Sequence, residues 1–174
     1  MASAPPLFAV DRTLGRLAVW LRLIGYDATC MPHLTPQALI RHARRDGRTI
    51  VTRNRRLLRR EHNPPPMLFI ESDYFRDQLR QVVTTFHLDP LAHLFTRCSR
   101  CNEPIVSISK ERVSGQVPEY VFATQDRFVR CPRCQRIFWP ATHSERVRDE
   151  LRRIGFQPPG DGRAASEDTT RSLD

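Results

Sequence analysis

Lysine is nearly missing from this chain: Lys110 is the only one, and Arg makes up 27 of the 28 basic residues. No stretch is apolar for the length that a membrane-spanning helix needs, so no membrane partner is expected. Met1–Val10 lacks a basic start followed by a long apolar run, so no secretory signal is expected and the cytoplasm is the default location. There is no G-x-S-x-G elbow, H-E-x-x-H, G-x-G-x-x-G or P-loop. That takes serine-hydrolase, zincin, dinucleotide and nucleoside-triphosphate chemistry out of the first rank. No internal repeat is visible.

What is present fits a globular chain. At 174 residues and 40% apolar content, it can bury one core and carry a small module besides. The net charge is +9 and the pI near 10.3. The densest basic run, 41–60, holds nine Arg against one acid, Asp46. Arg offers phosphate a planar fork of donors, so such a run suits nucleic acid. A solvated basic face, or a compositional bias toward Arg, would give the same run with no ligand.

The cysteines carry the sharpest spacing. Cys98-Ser-Arg-Cys101 and Cys131-Pro-Arg-Cys134 are two C-x-x-C pairs separated by 29 residues. Each pair sets two sulfurs on one side of a turn, and two such turns complete the tetrahedron of a structural Zn²⁺ site. Two disulfides or a redox C-x-x-C are the alternatives, and nothing else suggests an oxidising compartment. With four sulfurs filling the shell, this zinc would hold structure and leave chemistry to the residues before it. Cys30 has no evident partner and reads as a small buried hydrophobe.

Along the chain, Leu7–Val10 reads as a buried strand. Leu14, Leu17, Ala18, Leu21 and Ile24 form a helical stripe that stops at Gly25. A second short strand follows at 27–30. Thr35-Pro36 supplies an N-cap and a first-turn proline for a helix ending near Gly47. Thr49–Thr52 is a β-branched strand, 54–60 a short basic helix, and Met67–Ile70 another strand. Phe75, Leu79, Val82, Val83 and Phe86 mark one more helix. Strands alternating with helices predict an α/β fold with a parallel sheet flanked by helices. The expected organisation is an α/β domain over 1–95, a small zinc-ribbon module over 96–143, a short helix over 144–156 and a disordered tail over 157–174. The ribbon's middle, 105–129, reads as hairpin strands around Ser114-Gly115, with Phe138 and Trp139 in its small core.

Ligands of an open parallel sheet sit beyond the carboxyl ends of its strands. Asp11, Arg53-Asn54 and Ser72-Asp73 fall there. Carboxylates so placed would bind Mg²⁺ or Mn²⁺, and such ions could activate water against a phosphodiester. Asp11 and Asp73 are the candidate carboxylates, although each could instead cap the helix that follows it. Asn54 is a candidate neutral ligand or positioner of water. Arg12, Arg53, Arg55, Arg56, Arg59 and Arg60 are candidates to grip RNA phosphates.

Phe8-Ala9-Val10-Asp11 and the block Leu14-Gly15-Arg16-Leu17-Ala18-Val19-Trp20-Leu21-Arg22-Leu23-Ile24-Gly25-Tyr26-Asp27 resemble the mut-seven C-terminal RNase family. So do Arg48–Arg53, Leu57–Arg60, Gln78-Leu79, the four cysteines, Val117–Val121 and Trp139–His143. The resemblance covers about residues 7 to 150. It implies a PIN-like nuclease fold followed by a zinc ribbon, RNA as partner, and a catalytic metal held by acids. Asp11 stands at the family's first metal-binding Asp. The helix after the second strand, which opens with acids in the family, opens here at Leu34-Thr35-Pro36-Gln37. The family's Thr-Arg-Asp block ends here as Thr52-Arg53-Asn54. Two readings follow: a metal-dependent endoribonuclease with a reduced acid set, or a non-catalytic RNA- or ribonucleoprotein-binding module. The second would also use Arg97, Arg100, Arg130, Arg133 and Arg136 around the cysteines. An acidic protein partner is a third and weaker possibility. Oligomeric state is not legible.

Overall fold

The computed structural model describes residues 4–57, 63–140 and 142–157. The element order is β1 (Phe8–Val10), α1 (Gly15–Leu23), β2 (Ala28–Cys30), α2 (Pro36–Arg45), β3 (Thr49–Thr52), β4 (Met67–Phe69), α3 (Phe75–Thr85), β5 (Val106–Ile108), α4 (Glu119–Thr124), β6 (Phe128–Arg130), β7 (Ile137–Phe138) and α5 (Thr142–Ile154). The first four strands form one parallel sheet in the order β2-β1-β3-β4. Parallel strands need crossover helices, and the pattern read from the sequence supplied them.

Strand alternation divides the core. Phe8, Val10, Ala28 and Val51 face α1, α3 and α5, joining Leu17, Leu21, Ile24, Leu79, Val82 and Leu151. Ala9 and Ile50 face the other way, toward Leu39, Ile40 and Ala43 of α2. The connection from β1 goes to β2 on one side, and the chain then crosses back to β3 on the other. The sheet therefore opens a crevice at the carboxyl ends of β1 and β3. Thr35 caps α2 as its sequence indicated, Oγ1 accepting from the Ala38 amide at 3.3 Å, with Pro36 in the first turn.

The second module has a three-stranded antiparallel sheet, β5-β6-β7. Here one expectation fails. Strands β5 and β6 do pair, but no tight hairpin at Ser114-Gly115 joins them. A 3-10 turn at Lys110–Val113 and helix α4 fill the connection. Val113 and Val121 from these pieces pack on Phe128, so the connection supplies the core that a three-residue hairpin could not. A second expectation is half right: Trp139 joins that core, whereas Phe138 does not. Arg53 to Leu57 forms turns; the remainder of the basic helix expected at 54–60 lies outside the described residues, as does the expected tail from residue 158 on.

The two modules meet at the outer edge of the parallel sheet. Strand β2 is an edge, so the Ala28 amide and carbonyl point away from the sheet. Asn102 Oδ1 accepts from the Ala28 amide at 2.9 Å, and Arg22 Nε donates to the Ala28 carbonyl at 2.7 Å. Arg22 Nη1 also donates to the Ser99 and Arg100 carbonyls at 3.0 and 3.1 Å. Asp27 accepts from Arg48 and, at 2.8 Å, from the side-chain Nδ2 of Asn102. One cysteine turn thus closes the exposed edge.

Asp27 makes this junction sensitive to acid. Burial pushes its carboxyl upward, but hydrogen bonds from Arg48 and Asn102 and the charges of Arg48 and Arg97 outweigh it, holding the pKa below the usual 3.8. A depressed carboxyl stabilises fully above its unfolded value, and the gain disappears as pH falls through the lower folded value. Asp27→Asn should therefore lower stability near neutrality and flatten its decline below about pH 4. Urea titrations at pH 3 and pH 7 measure this; an equal decline in both proteins would refute it.

Candidate functional site

The crevice is a cleft of about 500 Å³ lined by Asp11, Arg12, Thr13, His33, Thr35, Arg53 and Asn54 around an apolar floor of Val10, Leu39 and Leu57. Asp11 follows β1 directly. Its Oδ1 accepts from the Thr13 amide at 3.2 Å, capping a short 3-10 turn. Its Oδ2 accepts from Thr52 Oγ1 at 2.7 Å. The same Thr52 oxygen accepts from the Asn54 amide at 3.0 Å, so Thr52 ties the ends of β1 and β3 together. The Asn54 side-chain oxygen turns to its own loop and accepts from the Arg56 amide at 3.0 Å.

Asp11, Arg12, Arg53 and Asn54 are thus brought together. Asp73 stands outside the cleft lining: it is 79% exposed and pairs with Arg53, and it does not cap α3. Arg55 lies over the Phe69 ring, 4.7 Å from its centroid. Arg56 is exposed. Arg59 and Arg60 lie outside the described residues. The Arg run is also partly structural, since Arg48 is nearly buried against Asp27 and Arg45 holds Asp46 at 2.6 Å. Sequence reasoning missed Thr13, Thr52 and His33. A polar residue ending a β-branched strand was the available signal for Thr52; nothing local marked His33.

A hard dication takes several oxygen ligands, anionic ones foremost. Among the described residues that line the cleft, Asp11 is the only carboxylate, and Arg12 and Arg53 line it too. Positions 34–37 do reach the cleft, but with Leu34, Thr35 and Pro36. Among the described residues this lining is a poor donor set for Mg²⁺ or Mn²⁺, and it offers an anion the guanidinium groups of Arg12 and of Arg53, the latter also paired with Asp73.

The cysteine site is of a different kind. The ligand atoms of Cys98, Cys101, Cys131 and Cys134 all lie within 4.8 Å of one another, and Cys98 Sγ is 3.7 Å from Cys134 Sγ. A tetrahedron with Zn–S near 2.3 Å spaces its sulfurs by about 3.8 Å, so the four residues fit zinc and form no disulfide. The two turns match bond for bond. The Cys101 and Cys134 amides donate to the Cys98 and Cys131 sulfurs at 3.4 and 3.5 Å. The Asn102 and Gln135 amides donate to the carbonyls of Cys98 and Cys131, both at 2.9 Å. Asn102 and Gln135 adopt φ of 70° and 60° to close them. Burial raises the Cys98 thiol and pushes Cys101 up to about 12, whereas a backbone hydrogen bond from Arg136 draws Cys134 down to about 7. Four sulfurs this close would repel one another as thiolates, and a bound cation offsets that repulsion.

The fold and the two sites define a class: an α/β chain with a crevice at the switch point of its parallel sheet and a four-thiolate module clamped to the sheet's edge. The chain belongs to the Mut7-C RNase domain family, whose model matches residues 6–151. That membership connects it to ribonuclease-like, nucleic-acid-directed function. No curated protein and no solved structure matches it. No helix among the described residues is long and apolar enough to cross a membrane.

Proposed function

We propose that this protein is an RNA-binding member of its family whose cleft holds a phosphodiester without an efficient catalytic metal. The observation that carries this is the cleft's charge: among the described residues lining it, a single carboxylate, Asp11, together with Arg12 and Arg53. The places where the family resemblance leads one to expect further acids hold Thr35-Pro36-Gln37 and Asn54. In a PIN-like site those acids would hold the ion; here the phosphate itself would bring the negative charge. Arg12 and Arg53 then grip its oxygens, while Thr52 keeps the Asp11 carboxylate turned toward β3. Phosphate contacts of this kind give an affinity that falls with salt, with a logarithmic slope of about −0.7 to −0.9 per neutralised phosphate.

The reading is tested with a labelled structured RNA in Mn²⁺, followed for binding and cleavage in the same samples. The wild-type protein should bind in a salt-sensitive manner without cutting. Asp11→Asn preserves the cap, because Asn caps as well as Asp, and should bind at least as well. Asn54→Asp keeps the turn to the Arg56 amide, adds a second carboxylate, and should bring cleavage within reach. Cleavage by the wild type that disappears in Asp11→Asn would instead establish a working metal-dependent endoribonuclease with a reduced acid set.

A further inference from the structure

The ribbon's sheet has two faces, and its core uses only one. Ile108, Phe128 and Ile137, with Trp139, pack toward Val113, Val121 and Phe122. Cross-strand partners share a face, and successive residues alternate between faces. The register Ser107↔Val129↔Phe138 therefore sets these three side by side on the opposite face. Val129 and Phe138 are half-buried, yet neither belongs to any apolar cluster among the described residues, and Ser107 is exposed. Arg127 and Arg136 stand just ahead of β6 and β7, two residues before Val129 and Phe138, the spacing that extended chain returns to one face. Because β6 and β7 are antiparallel, they flank it at opposite ends. Both are exposed, and the ion pairs found among the module's described residues lie elsewhere: Lys110 with Asp126, Arg133 with Glu103 and Arg97 with Asp27. Across residues 96–140 eight basic side chains stand against four acidic ones, so the module attracts anions as a whole.

We propose that this outer face is a platform for single-stranded RNA, with a base stacked on Phe138 against Val129 and flanking phosphates held by Arg127 and Arg136. The inference rests on the RNA reading above and adds to it a second contact, away from the cleft. A ring with a guanidinium at each end matches the alternation of π-face and phosphate along a polynucleotide. An acidic peptide would use the Arg residues and leave the ring idle, and two apolar side chains are too few for a protein interface. Every base has a π-face, so recognition would be tolerant of sequence.

The test uses full-length, zinc-loaded protein and a fluorescein-labelled 12-mer oligouridylate, beside a 12-mer of equal charge that lacks bases. Wild-type protein should prefer the oligouridylate by about 5- to 150-fold, the range of one base–aromatic stack. Phe138→Ala and Phe138→Leu should both drop to the abasic level, while Phe138→Trp keeps the preference. All three should retain bound zinc and the wild-type unfolding temperature, since the ring lies outside the core. Arg127→Ala with Arg136→Ala should weaken both oligomers alike and reduce the salt slope by about 1.4. Equal wild-type affinity for the two oligomers, or a Phe138→Leu protein that keeps the preference, overturns the platform but leaves the RNA reading standing if Arg53→Ala weakens binding. Failure of the wild type to bind either oligomer or the structured RNA overturns both. An oligoglutamate peptide whose binding falls with Phe138→Ala would assign the face to an acidic peptide and overturn the proposal.

Discussion

Cys131→Ser should abolish zinc binding and unfold residues 96–140. Structural zinc contributes about 10–16 kcal/mol of apparent binding energy at pH 7. The ribbon has little to set against that loss: its cluster has three buried apolar residues, Val113, Val121 and Phe128. A core this small does not hold a module of such size by itself. The damage should also travel. Asn102 and the carbonyls of Ser99 and Arg100 belong to the first cysteine turn, and they clamp β2 through Ala28 and Arg22. Without that turn, Ala28 regains an unsatisfied edge and Arg22 a buried charge lacking two of its acceptors, which costs about 1–3 kcal/mol per group. Native mass spectrometry should show one zinc per wild-type chain and none in the variant. Hydrogen exchange should rise in 96–140 and, less steeply, at 27–30. Unchanged metal content and an unchanged unfolding curve would refute the structural-zinc assignment. Fast exchange in the ribbon alone, with 27–30 still protected, would refute the coupling.

Gly25→Ala should be the most damaging small substitution in the parallel-sheet domain. Gly25 ends α1 with φ +93°, a left-handed conformation that disfavours any Cβ by about 1–2 kcal/mol. Space is a further obstacle. A methyl there would overlap the His93 carbonyl oxygen, and it would sit 2.5 Å from His93 Cβ and 2.9 Å from Thr96 Oγ1. The carbonyl belongs to the backbone and cannot rotate aside, so overpacking adds about 1–3 kcal/mol. The sum of about 2–5 kcal/mol corresponds to a fall in Tm of roughly 4–20 °C for a chain of this size. Gly47 and Gly115 also have positive φ, at 62° and 71°, but nothing lies within 4 Å of a Cβ at either. Ala at those positions should cost only the conformational part. Thermal unfolding of the three variants checks this, and equal losses would show that the approach of His93 has no weight.

Much of the molecule was legible because its signals are local. The apolar stripe from Leu14 to Ile24, the Thr35-Pro36 cap and the β-branched Thr49–Thr52 run depend on neighbours a few residues away, and each element formed where its pattern stood. The cysteine spacing was equally direct, since a C-x-x-C turn imposes its own geometry. The hairpin expected at Ser114-Gly115 failed because a turn signal says nothing about core volume. Three-residue strands needed Val113 and Val121 laid over them, and the connection folded to provide these.

The candidate site was legible in its chain positions and opaque in its pairings. Asp11 and Asn54 met because the strand order brings the ends of β1 and β3 together, which alternation of helix and strand implies. That Asp73, itself outside the cleft lining, would pair with Arg53 depended on how the loop after β4 lies beside β3, and no periodicity encodes that. The sequence by itself determined the parallel α/β scaffold, the two cysteine turns and the neutral residues at Thr35-Pro36-Gln37 and Asn54, because each is a property of local pattern or of residue identity. The tertiary structure decided that Thr52 bridges Asp11 and Asn54, that Phe138 faces away from the ribbon core, and that Arg22 reaches the Ser99 carbonyl 77 residues along the chain. Contacts across such distances follow from how packed surfaces meet, and the energy that selects them exists only once both surfaces have formed.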